Sequence, residues 1–239
     1  MRRILITNDD GIEADGLRRL VQAAKQFGEV WVVAPAHQRS AVSHSITLRE
    51  TIDVYPYDCQ MEGVRAFSCS GTPADCVRVG GLSIMEGEPD VVLSGINYGY
   101  NACSDIQYSA TAGAAFEGAF QGWFSIALSE GANPCHEVTD AYLTQILSKL
   151  LEKEWVEGHI YNVNFPQCPL SECKGILWDC PVSKGMFFRD RYRMVENLPD
   201  GGRRFEVDGQ YNEDAEPDTD FRAIVDGYVS VGIVNNIGF

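Results

Sequence analysis

The run Ile4-Leu5-Ile6-Thr7 stops at Asn8-Asp9-Asp10-Gly11, and a helix-patterned stretch from Leu17 to Phe27 follows. A short β-branched run bounded by a turn signal reads as a buried strand. The two acids therefore stand where a strand hands over to a helix, at the carboxyl edge where open α/β sheets bind their ligands. Adjacent carboxylates there favour a hard divalent cation. The same four residues also read as a polar turn, and alone they do not decide between the two.

The alternation continues. Val30–Ala34 reads as a strand, and Thr72-Pro73-Ala74-Asp75 opens a helix toward Met85, with Thr72 as N-cap and Pro73 at the first helical position. Asp90–Ser94 is a further strand ending in Gly95-Ile96-Asn97. Ala112–Gln121 is a small-residue helix leading into strand Phe124–Leu128, and Val138–Leu151 is a helix. Strands joined by helices predict a Rossmann-like, doubly wound and mostly parallel α/β sheet with right-handed crossovers. Past about residue 155 the pattern changes. Tyr161–Phe165 and Gly175–Trp178 are strand-like, Arg191–Glu196 and Arg203–Val207 flank the hairpin signal Pro199-Asp200-Gly201-Gly202, and Gly227–Val234 reads as a last strand. One domain over 1–239 is expected, with an α/β core to about 155 and C-terminal strands from about 156 to 239. The hairpin extension reads equally as an oligomerisation arm or as a hairpin folded on its own subunit.

Charge narrows the partners. With 19 basic against 34 acidic residues, a net −15, the chain is a poor match for a nucleic-acid polymer or an anionic membrane. No bilayer-length apolar run and no signal-peptide pattern is present, so a cytoplasmic protein is expected. Eight scattered cysteines include no C-x-x-C pair, and the four histidines do not cluster with them. Reduced core thiols are expected rather than a zinc site or a disulfide framework.

Three more segments end strands in small polar residues: Pro35-Ala36-His37-Gln38-Arg39-Ser40, the run from Gly95 to Asn101, and Tyr108-Ser109-Ala110-Thr111, which opens a helix. In a parallel sheet they share one edge with Asp9 and Asp10. All-oxygen donors suit Mg²⁺, Mn²⁺ or Ca²⁺, and a helix start flanked by hydroxyls suits a phosphate.

On these residues the chain resembles the survival protein E (SurE) family of metal-dependent nucleotidases. The matching segments are 6–12, Val33-Ala34-Pro35, Gln38-Arg39-Ser40, Ser45-Ile46-Thr47-Leu48, 70–77 and Leu93-Ser94-Gly95-Ile96-Asn97. Asn101, Tyr108-Ser109, Thr111, Gly113-Ala114-Ala115 and Glu117-Gly118 complete the match. The resemblance implies one divalent cation, Mg²⁺ or Mn²⁺, held by Asp9, Asp10, Ser40 and Asn97. It also implies hydrolysis of nucleoside 5′- and 3′-monophosphates, and assembly as a homodimer or homotetramer. A cation of this kind polarises a phosphoryl oxygen and activates a water, whose proton Asp9 or Asp10, preferentially Asp9, accepts. Asn101, Ser109 and Thr111 are the expected phosphate contacts, with the amides of the following helix start.

Plainer roles stand beside these. Ser40, Ser109 and Thr111 also read as caps, Asn97 and Asn101 as turn residues, Thr72 and Asp75 as helix capping, and His44 as a structural hydrogen-bonding residue. A phospho-receiver module lacks its later aspartate and lysine here, and a haloacid-dehalogenase-type phosphatase would need Asp-x-Asp. Two departures from the family favour an alternative, a catalytically weakened member that binds nucleotide or metal as a sensor. Ala110 stands where the family usually has glycine, a strained choice if that position needs a positive φ. The family's usual Thr-Pro-Leu after the last strand is absent, Ser230-Val231 running instead into Gly232-Ile233-Val234.

Overall fold

A computed structural model describes residues 1–154, 156–212 and 214–235. In chain order its elements are β1 (Arg2–Thr7), α1 (Asp15–Ala24), β2 (Gly28–Pro35), β3 (Val54–Tyr57), β4 (Val64–Cys69), α2 (Pro73–Val79) and β5 (Val91–Tyr98). There follow α3 (Ala110–Phe120), β6 (Phe124–Glu130), α4 (Glu137–Leu150), β7 (His159–Phe165), β8 (Ile176–Leu177), β9 (Phe188–Arg189) and β10 (Tyr192–Asn197). Last come β11 (Arg203–Val207), β12 (Gln210–Tyr211), α5 (Asp220–Val225) and β13 (Val229–Asn235).

Nine strands make one sheet in the order β3-β4-β2-β1-β5-β6-β7-β13-β8. From β4 to β7 every neighbouring pair is parallel, while β3 and β13 join antiparallel to β4 and β7. Strand β1 shows why. Ile4, Leu5 and Ile6 are all fully buried, with Ile4 and Ile6 in one core and Leu5 in another. Successive side chains of a strand point to opposite faces, so a strand apolar at every position requires cover on both. On one side α1 supplies Leu17, Leu20, Val21 and Ala24, spaced to form a single helical stripe. On the other, α3 comes close because its residues are small. A Cβ on Gly113 would stand 2.6 Å from the Ser43 carbonyl oxygen, and one on Gly118 would stand 2.5 Å from Ser125 Oγ.

Helix α2 begins as its sequence indicates. Thr72 and Asp75 form a reciprocal capping box, with Pro73 at the helix start. Asp75 also accepts from the Thr47 backbone N–H (2.9 Å) and the Thr47 hydroxyl (2.7 Å), which ties the loop after β2 to this helix. Burial pushes this carboxyl up, but the bonds from Thr47 and Thr72 outweigh it and hold the group below its ordinary value. Asp75→Ala strips partners from three donors and is expected to cost about 3 kcal/mol in denaturant unfolding.

The C-terminal hairpin forms as expected. Strands β10 and β11 pair antiparallel, with Asp200 in the left-handed region at φ 58° in the turn, and every residue of both strands is exposed. Five elements go beyond the sequence expectation: β3, β4, the two-residue pair β9–β12, and α5. Beyond residue 155, β7, β13 and β8 extend the same sheet. Among the described residues no helix is long and apolar enough to cross a membrane.

Candidate metal and phosphate site

The strand order reverses at β1. The chain runs outward through β2 and β4, then returns to place β5 on the other side of β1. Such a switch point opens a crevice at the carboxyl ends of the strands. The turn after β1 is built by Asn8 and Gly11. Asn8 donates to the Gly11 carbonyl (2.9 Å) and accepts its N–H (3.2 Å), and Gly11 adopts φ +105°, a conformation open to glycine. The turn reading thus belongs to Asn8 and Gly11, and the two carboxylates between them take no part in it.

Asp9 is 4% exposed. Its Oδ1 accepts a 2.5 Å bond from the Thr111 hydroxyl, and its backbone carbonyl accepts from Arg39 N. Desolvation pushes its carboxyl up to about 6; the Thr111 bond opposes this and the neighbouring Asp10 adds to it. Asp10 is also raised, first by burial and also by the Glu130 charge, against bonds from Tyr98 N (3.0 Å) and Gln38 Nε2 (3.3 Å). Among the described residues no lysine or arginine pairs with either acid.

Ser40 and Asn97 flank this pair. Gln38 Nε2 donates to Ser40 Oγ (3.0 Å) as well as to Asp10, so a single amide links the loop after β2 to the turn after β1. Asn97 donates from Nδ2 to the Gly99 carbonyl (2.8 Å), which leaves Oδ1 as the end able to ligate. Asp9, Ser40, Asn97, Asn101 and Ser109 line one open cleft of about 360 Å³. Asp10 and Thr111 are not part of its lining. The donor set fits a hard cation: two carboxylates without a positive partner, one of them nearly fully buried, beside a hydroxyl and an amide oxygen. Among the described residues no three or more His, Cys, Asp or Glu side chains gather as a metal site.

The three expected phosphate contacts have distinct surroundings. Ser109 caps α3, its Oγ accepting from Ala112 N (3.0 Å), and its hydroxyl proton stays available in the cleft. Asn101 lines the cleft but donates from Nδ2 to Ser129 Oγ (2.8 Å). Thr111 is fully buried and turned to Asp9, so its hydroxyl orients a carboxylate. Ala110 is the first residue of α3 and is not in the positive-φ region, so alanine is unstrained there. His44 does not line the cleft; it meets Glu117 at 2.8 Å, and Arg78 (3.1 Å) and Gln121 (2.8 Å) hold the same carboxylate.

Two supporting groups have roles that the sequence does not assign. Asn164 receives the Asn101 N–H (2.9 Å) and donates to the Asn101 carbonyl (3.0 Å), which also accepts from Asn162 (2.8 Å). The signal was the i, i+2 spacing of Asn162 and Asn164, which puts two asparagines on one face of a buried strand. Glu130, at the end of β6, is gripped by Arg19, Thr139 (2.7 Å) and His136 (3.0 Å). Asn164→Ala leaves the Asn101 N–H without a partner and is expected to destabilise by about 2 kcal/mol. Denaturant titration measures this, and Asn101 would lose its fixed place in the cleft.

The family model for the survival protein SurE matches residues 4–186. The chain is 38% identical to the 5′-nucleotidase SurE of Ruegeria pomeroyi, over 96% of this chain and 92% of that one. It is equally similar, at 38%, to the 5′/3′-nucleotidase SurE of Cronobacter sakazakii, over 96% and 88%. The crystal structure of the SurE protein from Aquifex aeolicus superposes with a TM-score of 0.82 at 34% identity, covering 98% of this chain and 93% of that one.

Proposed function

Because the chain belongs to the survival protein SurE family, we propose that it is a metal-dependent phosphomonoesterase hydrolysing nucleoside 5′- and 3′-monophosphates to nucleoside and phosphate. The observation that carries this reading is the buried Asp9 carboxylate beside Asp10, neither held by a lysine or arginine among the described residues, with the Ser40 hydroxyl and the Asn97 amide oxygen at the same cleft. Asp9, Asp10, Ser40 and Asn97 would hold one Mg²⁺ or Mn²⁺. The cation, when bound, supplies a Lewis acid for a phosphoryl oxygen and lowers the pKa of a water.

The chain's own residues do the rest. Thr111 fixes Asp9 through Oδ1. Asp9 is the candidate acceptor of the attacking water's proton. Ser109 donates its hydroxyl to a phosphate oxygen, and the open N–H groups at the start of α3 add their positive end. Asn101, with its backbone clamped by β7, offers its side chain to the same cleft. The reading as a weakened sensor loses the Ala110 argument, because that residue is helical and unstrained. The same proposal makes the exposed β10–β11 hairpin an assembly arm of a homodimer or homotetramer, with Tyr192, Phe205 and Val207 as contact side chains.

The test is phosphate release from a panel of nucleoside 5′- and 3′-monophosphates in chelator, then with Mg²⁺ or Mn²⁺. Release that requires the cation is expected. Folded protein that releases nothing with either cation would return the sensor reading to first place.

A further inference from the structure

The cleft does not end at the metal and phosphate candidates. Its lining also includes Asp105, Asp190, Tyr108 and Phe188. These come from the short helical turn Cys103–Gln107, its C-terminal neighbour, and the segment at β9, none of which carries an expected metal ligand. We propose that Asp105 and Asp190, with Tyr108 and Phe188 beside them, form a nucleobase subsite that selects guanine. This rests on the nucleotidase reading of the same cleft.

Both carboxylates sit on fixed backbone. The Asp105 carbonyl accepts from Tyr108 N (3.0 Å) and Ser109 N (3.1 Å), so the turn bearing Asp105 is continuous with the cap of α3. Cys103, at the head of that turn, is anchored by its N–H to Asp220 (3.1 Å). Asp190 follows β9, which pairs with β12 through Phe188–Tyr211 and Arg189–Gln210. Arg189 is directed to Asp214 at 2.8 Å. Burial raises the Asp105 carboxyl, a bond from the Ser104 hydroxyl opposes this, and the Asp190 charge adds to the rise, so the two acids sense each other. Neither forms an ion pair among the described residues, and no lysine or arginine lines the cleft.

That combination restricts the ligand. An ionised carboxylate only accepts hydrogen bonds and repels a phosphate, so the acidic wall meets the end of the substrate remote from the phosphoryl group. Guanine presents N1–H and the 2-amino group side by side, matching two carboxylate oxygens in a bidentate pair. Hypoxanthine lacks the 2-amino group, uracil offers one N–H between two carbonyls, and adenine and cytosine set a ring acceptor beside their amine. Tyr108 and Phe188 are 66% and 42% exposed, leaving ring faces open on which a base stacks.

The experiment measures kcat/KM for GMP, IMP and UMP with Mn²⁺, for the full chain and for Asp105→Asn and Asp190→Asn, alongside calorimetric binding of guanosine and inosine. Expected is a GMP preference over IMP and UMP of about tenfold or more, the scale of one charge-assisted bond. At least one substitution should bring the GMP:IMP ratio below about threefold, because an amide replaces one acceptor by a donor. Equal values for the three nucleotides in the unaltered chain, or a preference that survives both substitutions, overturns the subsite. Absent phosphate release overturns the nucleotidase reading alone. The subsite then stands or falls on whether guanosine binds tighter than inosine and loses that margin in the variants.

Discussion

Replacing Asp9 and Asp10 together by asparagine is expected to lower metal-dependent kcat/KM on a nucleoside monophosphate by about 10³-fold or more. Metal-ion catalysis contributes several kcal/mol, and each 1.36 kcal/mol is a factor of ten. The substitutions keep the side-chain volume and the acceptor for Thr111, while an amide at position 10 has one oxygen for Tyr98 N and Gln38 Nε2, which bond to different oxygens of Asp10. They remove both charges that a cation would neutralise. Loss of activity through misfolding would show as a lower Tm in chelator. The reverse is expected here, because two unpaired acids next to each other at a buried strand end oppose folding. Activity within tenfold of the unaltered chain, with either cation, would remove both residues from the chemistry.

The second large effect is on stability. The Asp9 carboxyl stands near 6 in the folded protein against an ordinary 3.8. Between these values the folded state holds a proton that the unfolded chain has released, so stability in chelator falls as the pH rises from about 4 to about 6. A displacement of about two pKa units corresponds to roughly 3 kcal/mol, complete above the folded value. Asp9→Asn lacks this term. Unfolding curves of the two proteins should therefore diverge by about 3 kcal/mol between pH 4 and pH 7.5, with the variant the more stable at the upper end. Parallel curves would show that burial does not hold this carboxyl up. Added Mn²⁺ should reverse the deficit above pH 6 and have little effect at pH 4.5, because a cation competes with the proton for the same oxygens.

How much of this was legible depended on the distance over which each residue finds its partner. Strand β1, helix α1 and strand β2 follow from local pattern, since Ile4, Leu5 and Ile6 are buried on both faces and Leu17, Leu20, Val21 and Ala24 form one stripe. The cap of α2 is equally local. Strand β3 was hidden because Pro56 sits in it, which an edge strand tolerates and a central one does not. Strand β4 mixes Arg65 and Ser68 into its run, and β9 and β12 are two residues each. At the site, the acid pair and the hydroxyl-rich start of α3 could be read as strand and helix ends. The role of Thr111 could not, because its partner Asp9 lies 102 residues away. Nor could the clamp on Asn101, whose partner Asn164 is 63 residues downstream. Whether a hydroxyl caps, ligates or orients is decided by contacts of that range.

The clamp on Asn101 also bears on the order of assembly during synthesis. Strands β1 to β6 and their helices are complete by Glu130, yet the backbone of Asn101 has its three hydrogen bonds only once its two partners, Asn162 and Asn164, are in place. Cys103, two residues on, waits for Asp220. A nascent chain can thus bury most of its central sheet while the wall of the cleft that carries Asn101 is still unformed. The acid pair could collect a cation at that stage, but hydrolysis would begin only when nearly the whole chain has emerged.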